Sequence, residues 1–384
     1  MLNSLSIRLK LSWLLLILLC SGQAQVETSI SGYILELPAY QRVEGQFWGI
    51  NNQLITNLTR VRIRPEIYIG EATLISMAYE IATLYQNNAF QFAEPPRKTN
   101  RQFFTLRWTP ISREHLTATH FIDRFYLQHE WSFGRIIIGR QRVSWGTGRI
   151  WNPTDLFNPI NPAAFDKIEK DGADLITAQW YLGNFSDLTW VINPHKTMET
   201  TNTAFRLRTN YHQYDVSMLI GRFDRQWLIG ADFAGNLWNA GVRGEGVLAF
   251  KNKGVASEFT QWVLGIDYQF TPEIYALVEY QFNGKGTHNK LRYDLPALLR
   301  GELINLNRQY LFCQLMWQPY ALIHTGIGYN AGLGDGSGFF LTTASFSVTE
   351  NSEIGLGIFW TYGSQFSEYW FYADAFYLQG QWYF

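Results

Sequence analysis

Apolar and polar residues alternate with a period of two over most of the chain from position 31 to the last residue, in segments of about 9 to 13 residues divided by Gly, Asn, Asp and Pro. Successive side chains of a strand point to opposite faces, so each segment predicts a strand with one oily and one wet side. Across 203–211, Phe205, Leu207 and Thr209 oppose Ala204, Arg206 and Arg208. Across 273–284, Ile274, Ala276, Val278, Tyr280 and Phe282 oppose Tyr275, Leu277, Glu279 and Gln281. Across 353–363, Ile354, Leu356, Ile358, Trp360 and Tyr362 oppose glycines, Phe359 and Thr361. Helical periodicity is confined to one short turn around Leu295 to Leu303. Gly183-Asn184, His212-Gln213 and Thr271-Pro272 predict tight turns, whereas long polar stretches lie near 88–101, 144–173, 283–307 and 331–337.

Composition decides what such strands can build. The chain carries 15 Trp, 21 Tyr and 27 Phe while only 16% of its residues are charged. No apolar run after residue 24 is long enough to cross a bilayer as a helix. In hydrocarbon every backbone N–H and C=O must be paired internally, which leaves the closed barrel. The expectation is an all-β, closed antiparallel transmembrane β-barrel of about 16 to 18 strands, with short periplasmic turns and long extracellular loops. Alternation begins soon after residue 25, so 25–384 reads as one barrel domain without an N-terminal plug.

The first 24 residues read as a cleaved signal peptide. Arg8 and Lys10 precede the apolar run 11–20, and Gly22 and Ala24 place small side chains before a cut between Ala24 and Gln25. Leu19 stands where a lipidated Cys20 would need a small neighbour, so a lipoprotein anchor is disfavoured. Cys313 is then the single remaining cysteine, and no disulfide staples the fold. The formal charge of −1 offers no basis for nucleic-acid binding.

The chain ends Phe376-Tyr377-Leu378-Gln379-Gly380-Gln381-Trp382-Tyr383-Phe384. Leu378, Gly380, Trp382 and Phe384 share one face. This pattern resembles the closing strand of bacterial outer-membrane barrels, and the resemblance implies recognition by the barrel-assembly machinery. An apolar edge strand left unpaired would invite aggregation, which closure avoids.

Residues 139–162 (GRQRVSWGTGRIWNPTDLFNPINP) are the least generic stretch, running from a strand into a long loop stiffened by three Asn-Pro pairs. It resembles the GRQ-x-SWG and NP-x-D signature of porin-like outer-membrane proteins of Gram-negative bacteria, grouped near the alginate-export and phosphate-selective porins. The resemblance implies a channel class and carries over no catalytic residue. A loop of this kind is expected to fold into the lumen, with Arg140, Arg142 and Arg149 facing Asp155, Asp166 and Glu169 across it. The competing interpretation has Arg–Asp pairs pinning the loop, with Trp145 and Trp151 in the interfacial aromatic girdle.

Arg60, Arg62 and Arg64 share one strand face, and Arg206 and Arg208 repeat the arrangement. Facing lipid, each would cost on the order of 2 to 4 kcal/mol at the bilayer midplane, so they are expected to face the lumen. There they either guide anions or form an interior network with Glu66, Glu80, Asp267 and Glu279, the second being favoured. The histidines at 115, 120, 129, 195, 212, 288 and 324 show no metal-ligand spacing, and no cofactor is expected. The function expected first is passive diffusion of small hydrophilic solutes with at most a weak anion preference. A surface polysaccharide-binding or envelope-assembly barrel without an open pore comes second. A rim hydrolase using His195 or His288 comes last, and enzymatic activity is not expected.

Overall fold

A computed structural model describes residues 25–42, 53–88, 101–158, 169–252, 257–299 and 303–384; the signal peptide inferred for 1–24 lies outside them. All strands belong to one antiparallel sheet that closes on itself. They are β1 (Val26–Arg42), β2 (Gln53–Ile69), β3 (Thr73–Gln86), β4 (Arg107–Ser112), β5 (Leu116–Trp131), β6 (Gly134–Gln141), β7 (Ala173–Tyr181), β8 (Asp187–Asn193), β9 (Asn202–Tyr211) and β10 (Tyr214–Phe223). They continue through β11 (Gln226–Leu237), β12 (Ala240–Ala249), β13 (Phe259–Thr271), β14 (Ile274–Asn283), β15 (Gln309–Tyr320), β16 (Ile323–Gly332), β17 (Ser337–Thr349), β18 (Ser352–Tyr362) and β19 (Asp374–Tyr383).

Nineteen strands make an 18-stranded wall, because β4 and β6 occupy one position. β3 pairs along β5 from Thr73↔His129 to Tyr85↔Leu116. On the opposite edge of β5, β6 pairs only with 125–131, and β4 pairs with 117–121. The chain therefore leaves the wall after Gln141 and an earlier segment fills the upper half of the vacated position. β4 suits an edge: it is short, it carries Pro110, and its register shifts between Trp108 and Ile111.

Closure joins β1 to β19, with Tyr33↔Tyr383 through Arg42↔Asp374 in register. The Gly32 N–H donates to the Phe384 carbonyl at 2.9 Å and the Phe384 N–H donates back at 3.1 Å. A Cβ on Gly32 would lie 2.5 Å from the Phe384 ring, so glycine there lets the terminal ring lie over the seam. The links between β9 and β10, β11 and β12, and β13 and β14 are two-residue turns at one end of the barrel, and the tight turns expected at Gly183-Asn184, His212-Gln213 and Thr271-Pro272 all fall at that end. The described parts of the long segments expected near 144–173, 283–307 and 331–337 lie at the other, while most of the segment expected near 88–101 falls outside the described residues. The helical signal expected near 295–303 reduces to one turn, Leu295–Leu299.

The outer surface is a belt of exposed apolar side chains, including Ile138, Ile176, Phe205, Ile220, Leu264, Leu356 and Leu378. Where a solvated barrel interior would be polar throughout, this one also holds two large apolar clusters, beside a small one of Leu37, Ala39 and Tyr377 at the closing seam. One gathers Val143, Trp145, Phe157, Leu175, Leu219 and Phe223; the other gathers Trp151, Val263, Tyr310, Phe312, Phe339 and Phe359. Each of the two large clusters contains side chains from the segment that leaves the wall. The chain is thus a closed, multi-strand β-barrel whose outer wall suits lipid.

Candidate functional site: the inward loop

The segment after β6 crosses the interior and is held there by two carboxylates of the opposite wall. Glu279 of β14 accepts the backbone N–H groups of Arg149 at 2.7 Å, Ile150 at 3.0 Å and Trp151 at 2.9 Å. Glu245 of β12 accepts the Gly148 N–H at 3.0 Å, the Thr154 N–H at 3.2 Å and the Asn152 side-chain amide at 3.0 Å, and also binds the Thr154 hydroxyl. Both acids are enclosed, with 0% of the Glu279 surface and 5% of the Glu245 surface exposed. Charge-assisted bonds to several amides are among the stronger hydrogen bonds a protein makes.

The Gly-Thr-Gly of the motif now has a physical reason. Gly146 has φ +99°, and a Cβ on it would sit 2.5 Å from a Glu245 oxygen; one on Gly148 would sit 2.1 Å from the Trp151 carbonyl. Only glycine lets the backbone approach the carboxylate that closely. The aromatic residues complete the anchoring. Trp145 packs edge-on to Phe157 at 5.3 Å, and Phe157 meets Phe223 of the wall at 4.8 Å. Trp151 lies 5.8 Å from Tyr310 and 6.2 Å from Phe312. With 4% and 5% exposure, Trp145 and Trp151 belong to the interior and not to an outer girdle.

The charges sort differently from the expected opposed rings. Asp155 pairs with Lys170 of the same loop, joining its two legs. Burial pushes the Asp155 carboxyl up to about 6, although Lys170 pulls it down. Glu169 reaches the wall instead, binding Arg64 and lying 3.2 Å from Arg62. Asp166 lies outside the described residues. Arg140 is not a lumen residue: it shares the register row of Phe125 and Asp174, whose row neighbours Ile138 and Ile176 are exposed on the outer face. There it is buried against Asp174 at 2.8 Å, donates to the Ile122 carbonyl at 2.9 Å and also binds the Phe104 carbonyl. The reason is the chain's exit: Phe104 belongs to the segment that climbs over β6 into β4. Arg142 and Arg149 alone among the loop arginines are exposed.

The wall arginines are mostly neutralised. Arg60 and Arg62 bind Glu80 at 3.1 and 3.0 Å, Arg62 also binds Asp123, Arg206 binds Asp232 at 3.2 Å, and Arg208 binds Asp187 at 2.8 Å. Of the acids expected in this network, Glu80 takes part. Asp267 binds Arg243, which the sequence did not single out, while Glu66 accepts from Tyr68 and Ser76 and Glu279 holds the loop. Nothing in the sequence pattern singles out Glu245, Asp123, Asp232 and Lys170, because alternation marks which face a residue takes, not what lies across the lumen.

At the rim a further buried carboxylate ties loops to one another. Glu368 accepts the Leu306 N–H at 3.0 Å and the Asn307 N–H at 2.9 Å and binds the Tyr310 hydroxyl. Its own N–H donates to Asp335 at 2.8 Å, which also accepts from the Tyr293 hydroxyl at 2.9 Å and the Asn307 amide at 2.9 Å. Burial raises the Glu368 carboxyl to about 7 against the opposing pull of those hydrogen bonds. Among the described residues no group of three or more His, Cys, Asp or Glu could hold a metal ion. The His195 ring bonds the Asn193 side chain at 3.1 Å, and its backbone N–H donates to the Thr201 hydroxyl oxygen at 3.2 Å.

No family model matches the sequence, and no curated protein matches it. Solved structures do match. A double variant of OccD1 (OprD) aligns over 93% of this chain and 95% of its own, with a TM-score of 0.56 at 9% identity. OccAB1 of Acinetobacter baumannii aligns over 92% of this chain and 96% of its own, with a TM-score of 0.54 at 9% identity. At that identity the likeness establishes a shared outer-membrane barrel fold. It does not reach the alginate-export or phosphate-selective porins that the motif resembles.

Proposed function

We propose that the protein is a passive channel for small hydrophilic solutes, narrowed by the 142–172 loop and mildly anion-preferring. The observation that carries this is the pairing pattern inside the lumen. Asp155 of the loop is spent on Lys170 and Glu169 on wall arginines, while Arg142 and Arg149 remain exposed. Arg149 stands near Arg243, which is itself paired with Asp267, so the positive potential of the loop rests on Arg142 and Arg149 themselves. A kinship with the phosphate-selective porins is part of the same proposal. The surface-binding alternative loses its platform, because Trp145 and Trp151 are enclosed. Purified protein in planar bilayers under a salt gradient should give stepwise conductance with a reversal potential of anion-preferring sign. Silence at high protein load would refute the channel, and a cation-preferring potential would refute the role of the two arginines.

A further inference from the structure

The outer face of the barrel carries a carboxylate that, unlike Asp174 beside Arg140, has no cation paired with it among the described residues. Glu36 of β1 sits in an outward row: its row neighbours Ile34 and Tyr40 are exposed, and they pair with exposed Trp382 and Phe376 of β19. Glu36 itself is exposed and lies opposite Gly380. It therefore stands between the Tyr40–Phe376 rung toward the loop end and the Ile34–Trp382 rung toward the turn end, within the apolar belt. No cation pairs with it among the described residues. Its oxygens accept only from neighbours on the same face, the Asn57 amide at 3.1 Å and the Thr59 hydroxyl at 2.8 Å. Thr59 is in turn paired with Thr83 of β3. An ionisable group at this depth normally faces an interior or a polar partner, because lipid tails satisfy none of its hydrogen bonds.

We infer that the β1–β2–β3 face is where two copies of this chain pack side by side in the membrane. The patch is complementary to itself. A carboxylate has about four acceptor sites, and two local bonds leave capacity in hand, while the second N–H of Asn57 and the hydroxyl of Thr83 can donate. Two copies inserted in the same direction must be related by an axis along the membrane normal, and a two-fold contact pairs residue i with j and j with i. With the axis through Thr59, β1 of one copy faces β3 of the other, so each Glu36 meets donors and the two carboxylates stay apart. Gly380 beside Glu36 has nothing within 4 Å of a would-be Cβ, which leaves room for close approach. Small residues and side-chain hydrogen bonds are what hold transmembrane surfaces together where apolar burial cannot.

The test uses the full processed protein in lipid nanodiscs and in mild detergent. Native mass spectrometry should find a dimer. Glu36→Leu, which suits a lipid face and leaves the interior untouched, should weaken it about tenfold. In a Cys313→Ser background, Thr59→Cys should cross-link copy to copy under mild oxidation, with Glu36 intact. A monomer in both media, or a dimer indifferent to Glu36→Leu and silent in cross-linking, would overturn the inference. So would co-purification of lipid A with a monomeric wild type and its loss in Glu36→Leu, which would make a lipid the occupant.

Discussion

The inward loop and the rim latch solve the same problem with the same group and differ in where that group is rooted. Both arrest a chain segment by offering a buried carboxylate to consecutive backbone amides. Glu245 and Glu279 project from β12 and β14, whose ladders fix them independently of the loop they hold. Glu368 belongs to the short turn 368–371, itself a loop, so it is only as fixed as the partners it binds. A wall-rooted anchor sets a permanent obstruction; a loop-rooted one makes a contact that can be lost on both sides at once. The difference teaches that the constriction is built to stay and the rim is built of parts that depend on each other.

The sharpest way to break the comparison is to remove the wall anchors. Glu245→Ala with Glu279→Ala leaves five backbone amides without their acceptors. Unmet buried donors cost about 1–3 kcal/mol each, so holding energy on the order of 5 kcal/mol or more disappears. Single-channel conductance in planar bilayers should rise severalfold as the loop swings free; unchanged conductance would show that the anchors do not set the bore. Trp151→Ala should cost about 3–5 kcal/mol by emptying its place against Tyr310 and Phe312, read as a lowered unfolding midpoint in detergent.

The rim carboxylate gives a prediction that hydrogen exchange can read. The Glu368 carboxyl rises to about 7 in the closed latch, from 4.5 ordinarily. The closed form therefore binds the proton more tightly. It has that advantage in full below the ordinary value and loses it as pH climbs to about 7, a change of at most about 3 kcal/mol. Hydrogen exchange at Leu306 and Asn307, corrected for intrinsic rates, should be slower at pH 5.5 than at pH 8, and Glu368→Gln should flatten the difference. The smallest energetic effect belongs to Arg149→Glu, an exposed change that should alter stability by no more than about 0.5 kcal/mol. It should nonetheless shift the reversal potential toward cations.

Much of this architecture is legible in a single sequence, because a tilted membrane strand has only two faces and announces them at every second residue. The segments around Phe205, Val278 and Ile358 all lie on strands with the expected outward rows, and the strand ending at Phe384 closes the barrel. The site is less legible. Arg62 announces a lumen face, but nothing near it in sequence names Asp123 or Glu169 as partners. The period-two signal around Arg140 is cut short by the exit of the chain, so local alternation does not fix which face it takes. Glu279 looked like one more interior acid, since its partners are backbone amides and leave no trace in residue identity.

The sharing of one wall position by β4 and β6 ties two distant stretches of chain into a splice. If 101–112 were shortened, the stave above Gln141 would lose its upper piece; if β6 were lengthened to fill it, the loop would have no doorway inward. Insertions and deletions in these two stretches are therefore constrained jointly, and a graft of the inward loop onto another barrel must carry the 101–112 segment along with it.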